Sequence, residues 1–209
     1  MASVRRAIVF LDWDTARRIA PADRIQASDL KRAARQIEQV FSALQEIVAS
    51  HLTDLDPKSL FRVRWRLYHG WYSGKTKTFD YQAINRFLQE AITIVIKNVS
   101  FGIDIEVATS MLIGGQRMPL YDSLRQLEEA DGTKVVRQKM VDTSLICDLL
   151  QSSRSSRDDI HLVYGNDDDL LPGVFAAEAW GAYIHMFRPD HGSRYLDTRR
   201  IVSVLRRPE

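Results

Sequence analysis

Apolar positions follow two rhythms along the chain, and the rhythms lay out its elements. Residues 7–11 are uninterruptedly apolar, the mark of a central strand covered on both faces. Ser28 then opens a long amphipathic helix, with Leu30, Ala33, Ala34, Ile37, Val40, Phe41, Leu44, Ile47 and Val48 at helical spacing. Residues 60–68 alternate: Phe61, Val63, Trp65 and Leu67 share one face, Arg62, Arg64 and Arg66 the other. Helical period returns over residues 80–96 through Tyr81, Ile84, Phe87, Leu88, Ala91, Ile92 and Val95. Residues 103–112 read as a strand, and Asp131-Gly132 between two strand-like arms predicts a hairpin. Residues 141–150 predict a short helix with Leu145, Ile146, Leu149 and Leu150 on its apolar side, followed by a polar loop, SSRSSRDD. A buried strand at 160–164 leads to a helix at 170–180, stopped by Gly181 in the position after its C-cap. A last strand covers 182–187, and the tail after Pro189 ends in a helix.

Strands alternating with helices predict an α/β fold: a Rossmann-like, three-layer domain with a mostly parallel central sheet and helices on both faces. The chain of 209 residues reads as one domain, with a hairpin insertion at 120–138 and a basic tail at 190–209. A net charge of +2 means that any basic surface must be local. The single cysteine, Cys147, excludes an internal disulfide, fits a reducing compartment, and reads as a buried core thiol. No apolar stretch approaches bilayer length, and the N-terminal apolar run is too short for a signal peptide, so a cytoplasmic protein is expected.

In open parallel sheets, sites form beyond the carboxyl ends of the strands. Asp12 and Asp14 follow the first strand, and Asp167, Asp168 and Asp169 follow the strand at 160–164. Asp142 begins the helix at 141, and Asp148 lies further along it. Carboxylates converging from distant segments suit metal-dependent phosphoryl transfer, because Mg²⁺ takes oxygen ligands. Alternation predicts Asp167 and Asp169 facing the site, with Asp168 turned away, and points Asp14 away from Asp12. Ordinary capping is the plainer reading for one of the triplet, and for Asp142 taken alone.

The segments IVFLDWDT, RQKMVDTSLICDLL and HLVYGNDDDLLPGVFAAEAWGAYIHMF resemble the NYN domain, a branch of the PIN-like nuclease superfamily. The resemblance covers the first strand and most of residues 134–187. It implies a PIN-like domain, a Mg²⁺- or Mn²⁺-dependent ribonuclease acting within RNA chains, and substrates that include structured or transfer RNA. Asp12, Asp142, Asp167 and Asp169 fall on the family's acidic metal-site positions, and Asp148 on a recurrent acidic position. Three positions depart from the pattern: Thr15 stands where Asn is usual, Met140 where Gly is common, and Gly165-Asn166 where Ser-Gly is familiar.

A nuclease of small net charge needs a local basic track. Lys139, three residues before Asp142, is the first phosphate-contact candidate. Lys75 and Lys77 sit beside Trp71 and Tyr72, a combination suited to stacking on an unpaired base; an ordinary solvated loop is the alternative. The Arg62-Arg64-Arg66 stripe reads first as charge facing water or paired with acidic side chains, and second as an RNA grip or partner surface. Arg199, Arg200, Arg206 and Arg207 make the tail basic. The five histidines show no metal-ligand spacing, and Gly114-Gly115 lacks the residues of a phosphate loop.

Two rivals stand beside the ribonuclease. In a haloacid-dehalogenase-type phosphatase, Asp12 is the nucleophile and Asp14 the acid/base. A non-catalytic RNA-binding or adaptor module of the same fold is the other. The sequence leaves the oligomeric state open, monomer or homo-oligomer.

Overall fold

The computed structural model describes residues 3–19, 28–73, 76–90, 92–113, 116–119, 124–128, 132–138, 140–189 and 196–197. Its centre is a sheet built from β1 (Val4–Asp12), β2 (Leu60–Tyr68), β5 (Ile94–Ile96), β6 (Val99–Val107), β11 (Ile160–Tyr164), β12 (Tyr183–Phe187) and β13 (Leu196–Asp197). Their order is β13-β12-β11-β1-β2-β6-β5. The five inner strands are parallel, and β13 and β5 close the edges antiparallel. Three hairpins form their own two-stranded sheets: β3 (Tyr72–Ser73) with β4 (Thr76–Lys77), β7 (Ser110–Ile113) with β8 (Gln116–Pro119), and β9 (Leu124–Glu128) with β10 (Lys134–Gln138).

Helices α2 (Leu30–Leu55) and α3 (Phe79–Glu90) cover one face, and α4 (Val141–Ser155) and α5 (Leu171–Ala179) the other. Strand β1 lies between two cores because its side chains alternate. Ala7, Val9 and Leu11 join Phe41, Trp65 and Phe101 on the α2 side, while Ile8 and Phe10 join Leu145, Leu149 and Val174 on the α4 side. Each fully buried large apolar side chain contributes about 1.5–3 kcal/mol. The α/β architecture expected from the alternating pattern is the one observed.

Several boundaries differ. Asp29 starts α2, its carboxylate accepting from the Arg32 amide at 2.8 Å, so the helix opens on Asp29 rather than Ser28. The helix expected to 96 ends at Glu90, and Ile94–Ile96 pairs with β6 instead. The strand expected at 103–112 is split: β6 ends at Val107 and β7 starts at Ser110. Helix α4 runs on to Ser155, through half of the expected polar loop, with the Ser153 and Ser155 hydroxyls donating to carbonyls one turn back. Cys147 is half-buried rather than a core thiol. Of the tail after Pro189 only Leu196–Asp197 is described, as strand β13, and the helix expected at its end falls outside the described residues. Among the described residues no helix is long and apolar enough to cross a membrane.

Gly173 sets how closely α5 approaches α4. A Cβ there would lie 2.5 Å from Ile146 Cγ2. Gly173→Ala is therefore expected to destabilise by about 1–3 kcal/mol through overpacking. Chemical denaturation measures it, and an unchanged midpoint would remove that reading of the contact.

Candidate active site

Adjacent parallel strands end side by side, which brings distant acids together. β1 and β11 are in register from Ala7↔Ile160 to Leu11↔Tyr164, so Asp12 and the turn at 165–169 emerge at the same carboxyl edge. A Cβ on Gly165 would lie 3.5 Å from Asp12 Cβ. Asp142 enters from above, in the first turn of α4.

Asp12 is buried and caps α1 (Trp13–Ala16), accepting from the Asp14 and Thr15 amides at 3.1 and 3.2 Å. Thr15 Oγ1 donates to Asp12 Oδ2 at 2.5 Å and accepts from the Asn166 amide at 3.2 Å. Thr15 thus pins the β1 end to the β11 end. Burial raises the Asp12 pKa and the Asp14 charge adds to it, against the lowering by Thr15 and the amides. Asp142 is raised to about 6, first by burial and then by the charges of Asp12, Asp167, Asp169 and Asp14. It is not a helix cap: Met140 holds that position, in the left-handed region at φ 72°.

Asp167 caps the short 3-10 turn Asp168–Leu170, accepting from the Asp169 amide at 2.9 Å. The expected extended turn is therefore helical. Asp168 is paired with Arg188, whose guanidinium also donates to the Asn166 carbonyl at 2.8 Å. Asp148 is buried and accepts from the Tyr68 hydroxyl at 3.0 Å.

Asp14 lies in α1, where strand alternation does not apply, and meets partners no local pattern announced. Arg17 is 2.6 Å from its Oδ1, and His69 Nδ1 3.2 Å from its Oδ2. Burial would raise Asp14, yet His69 and Arg17 lower it to about 2. The other His69 nitrogen faces Asp80 Oδ2 at 3.6 Å, and both groups are buried. Burial would lower His69; the bonds and charges of Asp14 and Asp80 more than offset it and raise the imidazole to about 9. An imidazolium between two carboxylates thus underlies the acidic edge. Asp14 is 55 residues from His69 in sequence, which is why the sequence offers no signal for it.

The expected basic contacts fare differently. Lys139 and Lys75 lie outside the described residues, as do Arg199, Arg200, Arg206 and Arg207. Lys77 is exposed and stands 5.3 Å over the Tyr81 ring. Trp71 is 2% exposed, so it is core and offers no face to a base. The arginine stripe is paired, with acids of β6 rather than a covering helix: Arg62 with Asp104, Arg64 and Arg66 with Glu106.

The donor set at the edge is oxygen only, which hard divalent cations prefer. Among the described residues no three His, Cys, Asp or Glu side chains close on one point as a ligand group. That spacing is compatible with Mg²⁺, which takes one or two carboxylates directly and keeps several waters. The negative charge that raises Asp142 is what a cation there would offset.

No protein-family model, curated protein or solved structure matches this chain.

Proposed function

We propose that the protein is a Mg²⁺- or Mn²⁺-dependent ribonuclease hydrolysing phosphodiester bonds at the carboxyl edge of its sheet. The observation that carries this reading is that β1 and β11 end side by side in register, so Asp12 and the turn with Asp167 and Asp169 leave the same edge, with Asp142 in the first turn of α4 near enough for their charges to raise it. The resemblance of the same segments to the NYN domain supports it. So does the chemistry of Asp14, which is held near 2 by His69 and Arg17 and is a poor general acid at neutral pH; this weakens the phosphatase alternative.

Asp12, Asp167 and Asp169 are the residues that would hold the cation, one or two of them directly and the rest through its waters. Bound there, it would supply Lewis-acid polarisation of the scissile phosphate. Asp142, in the first turn of α4, orients the attacking water and takes its proton. In-line attack breaks the bond from phosphorus to the 3′ oxygen, leaving a 3′ hydroxyl and a 5′ phosphate. Structured or transfer RNA is the proposed substrate, cut internally.

The test is incubation of total RNA, labelled DNA and p-nitrophenyl phosphate with Mg²⁺, Mn²⁺ or EDTA. RNA is expected to be cut only with metal. Cleavage that persists in EDTA counts against the mechanism, and p-nitrophenol release with intact RNA moves the assignment to a phosphatase. RNA bound equally with and without Mg²⁺ and never cut indicates an adaptor.

Asp168→Asn separates the triplet. Its side chain is 74% exposed and engaged by Arg188. The variant is expected to keep cleavage and to lose less than about 1 kcal/mol of stability. Loss of cleavage in a folded Asp168→Asn protein would move Asp168 into the site.

A further inference from the structure

The acidic edge by itself repels a polyanion, so affinity for RNA must come from elsewhere on the surface. A cavity of about 560 Å³ lies between the flank of α4, at Gln151 and Ser155, and the sheet face carrying Arg6, Arg62, Arg64 and Arg66. This is the same face of β1 and β2 that carries Asp12. Arg6 pairs in register with Arg62, Phe10 with Arg66, and Asp12 with Tyr68. The β2 arginines therefore form a row that runs toward the strand end beside Asp12. Among the described residues no helix lies over that half of the face, and of β2 and β6 Tyr68 alone on this side joins the α4 core.

The arginines are held but not used up. Arg6 meets Asp159 through Nε at 3.0 Å, and Arg62 directs Nε and Nη2 at one oxygen of Asp104. Arg64 and Arg66 share Glu106 Oε2, at 3.1 and 3.2 Å. Four guanidiniums thus face three carboxylates, and their remaining N–H edges have no other acceptor among the described residues. The arginines of the Arg62–Asp104 and Arg64–Glu106 pairs are exposed, and pairs of this kind are weak, so a phosphate can share or displace the carboxylate there at small cost; Arg66 and Asp159 are largely covered and stay paired. The planar guanidinium fork suits phosphate oxygens. Alternate residues on one strand face are spaced by about 6.6–6.8 Å, comparable to successive phosphates of an extended strand.

We propose that this groove binds the phosphodiester backbone of a single RNA strand, with the exposed Arg62 and Arg64 facing successive phosphates, Arg6 flanking them, and the more covered Arg66 adding its charge from the inner end of the row. The ribonuclease reading gives the groove its purpose, since it names the RNA to be delivered, but binding and cutting can be measured apart. A small phosphorylated ligand fits less well. The groove is open, Arg62 and Arg64 side chains being 64% and 50% exposed, and its lining offers no aromatic wall for a base.

The experiment measures binding of a fluorescent twelve-nucleotide oligouridine in EDTA, which removes any cation at the acidic edge. Arg62→Gln/Arg64→Gln is expected to weaken binding about tenfold near 0.1 M salt and to reduce the slope of log affinity against log salt by about 1.4, at about 0.7 per phosphate contact. Arg6→Gln, on the neighbouring strand, is expected to weaken binding about threefold, and checks the result independently of β2 folding. Unchanged affinity and slope in the double variant overturn the proposal, as does tight binding of pyrophosphate without binding of the oligouridine. Wild-type binding that depends on these arginines, with total RNA left intact when Mg²⁺ is restored, sinks the ribonuclease reading and leaves this one standing.

Discussion

Asp12→Asn is expected to reduce metal-dependent RNA cleavage at least ~100-fold while the protein stays folded. Asn is as good an N-cap as Asp, and its remaining oxygen can accept from the Thr15 hydroxyl or amide that Asp12 engages. What the substitution removes is charge. Asp12 is also the strongest of the neighbouring charges that raise Asp142, so the variant lowers the Asp142 pKa from about 6 toward the ordinary carboxylate range. The measurement is cleavage in Mg²⁺ and Mn²⁺ beside circular-dichroism melting, with Asp167→Asn as a second variant. Asp167 caps only the 3-10 turn, and Asn again keeps the cap. Full cleavage by a well-folded Asp12→Asn protein would end the assignment of this edge as the catalytic site.

The second large effect is on stability. His69→Ala strands Asp80, which is 1% exposed and has no hydrogen-bond donor among the described residues beyond its contact with His69. Breaking a buried ion pair from one side costs about 3–5 kcal/mol. The pH dependence has a definite sign. His69 is raised from its ordinary 6.5 to about 9, so its contribution is fully present below 6.5 and is lost as pH rises through 9. The shift corresponds to about 3 kcal/mol. The depression of Asp14 to about 2 is the same interaction seen from the partner and is counted once. Urea midpoints for wild type are therefore expected to fall between about pH 6.5 and 9.5 relative to His69→Ala. Parallel profiles for the two proteins across that window would exclude a buried imidazolium.

Much of the architecture was legible because it follows from local periodicity. The apolar run at 7–11 demanded a strand covered twice, and β1 sits between two cores. The alternation at 60–68 separated Trp65 from the arginines before any neighbour was known, and Asp131-Gly132 marked the β9–β10 hairpin, where Gly132 takes φ 80°. Convergence of Asp12 with Asp167 also followed, since both were placed after strands of one parallel sheet. Residues 92–96 were misassigned because a short apolar run satisfies helical spacing about as well as it satisfies an edge strand. Trp71 was misread because an aromatic beside lysines looks the same in sequence whether it points into the core or out.

The sequence by itself determined the inner strands and the main helices, which of their faces are apolar, and which aspartates stand at strand ends, because these depend on spacing along one segment. Only the tertiary structure decided the partners of those charges. His69 meets Asp14 and Asp80, Arg62 meets Asp104 across 42 residues, and Asp168 meets Arg188. The physical reason is that an ion pair is set by distance through space. Sheet order places β11 beside β1 and β6 beside β2, and no periodicity within a single segment records which strand will be its neighbour.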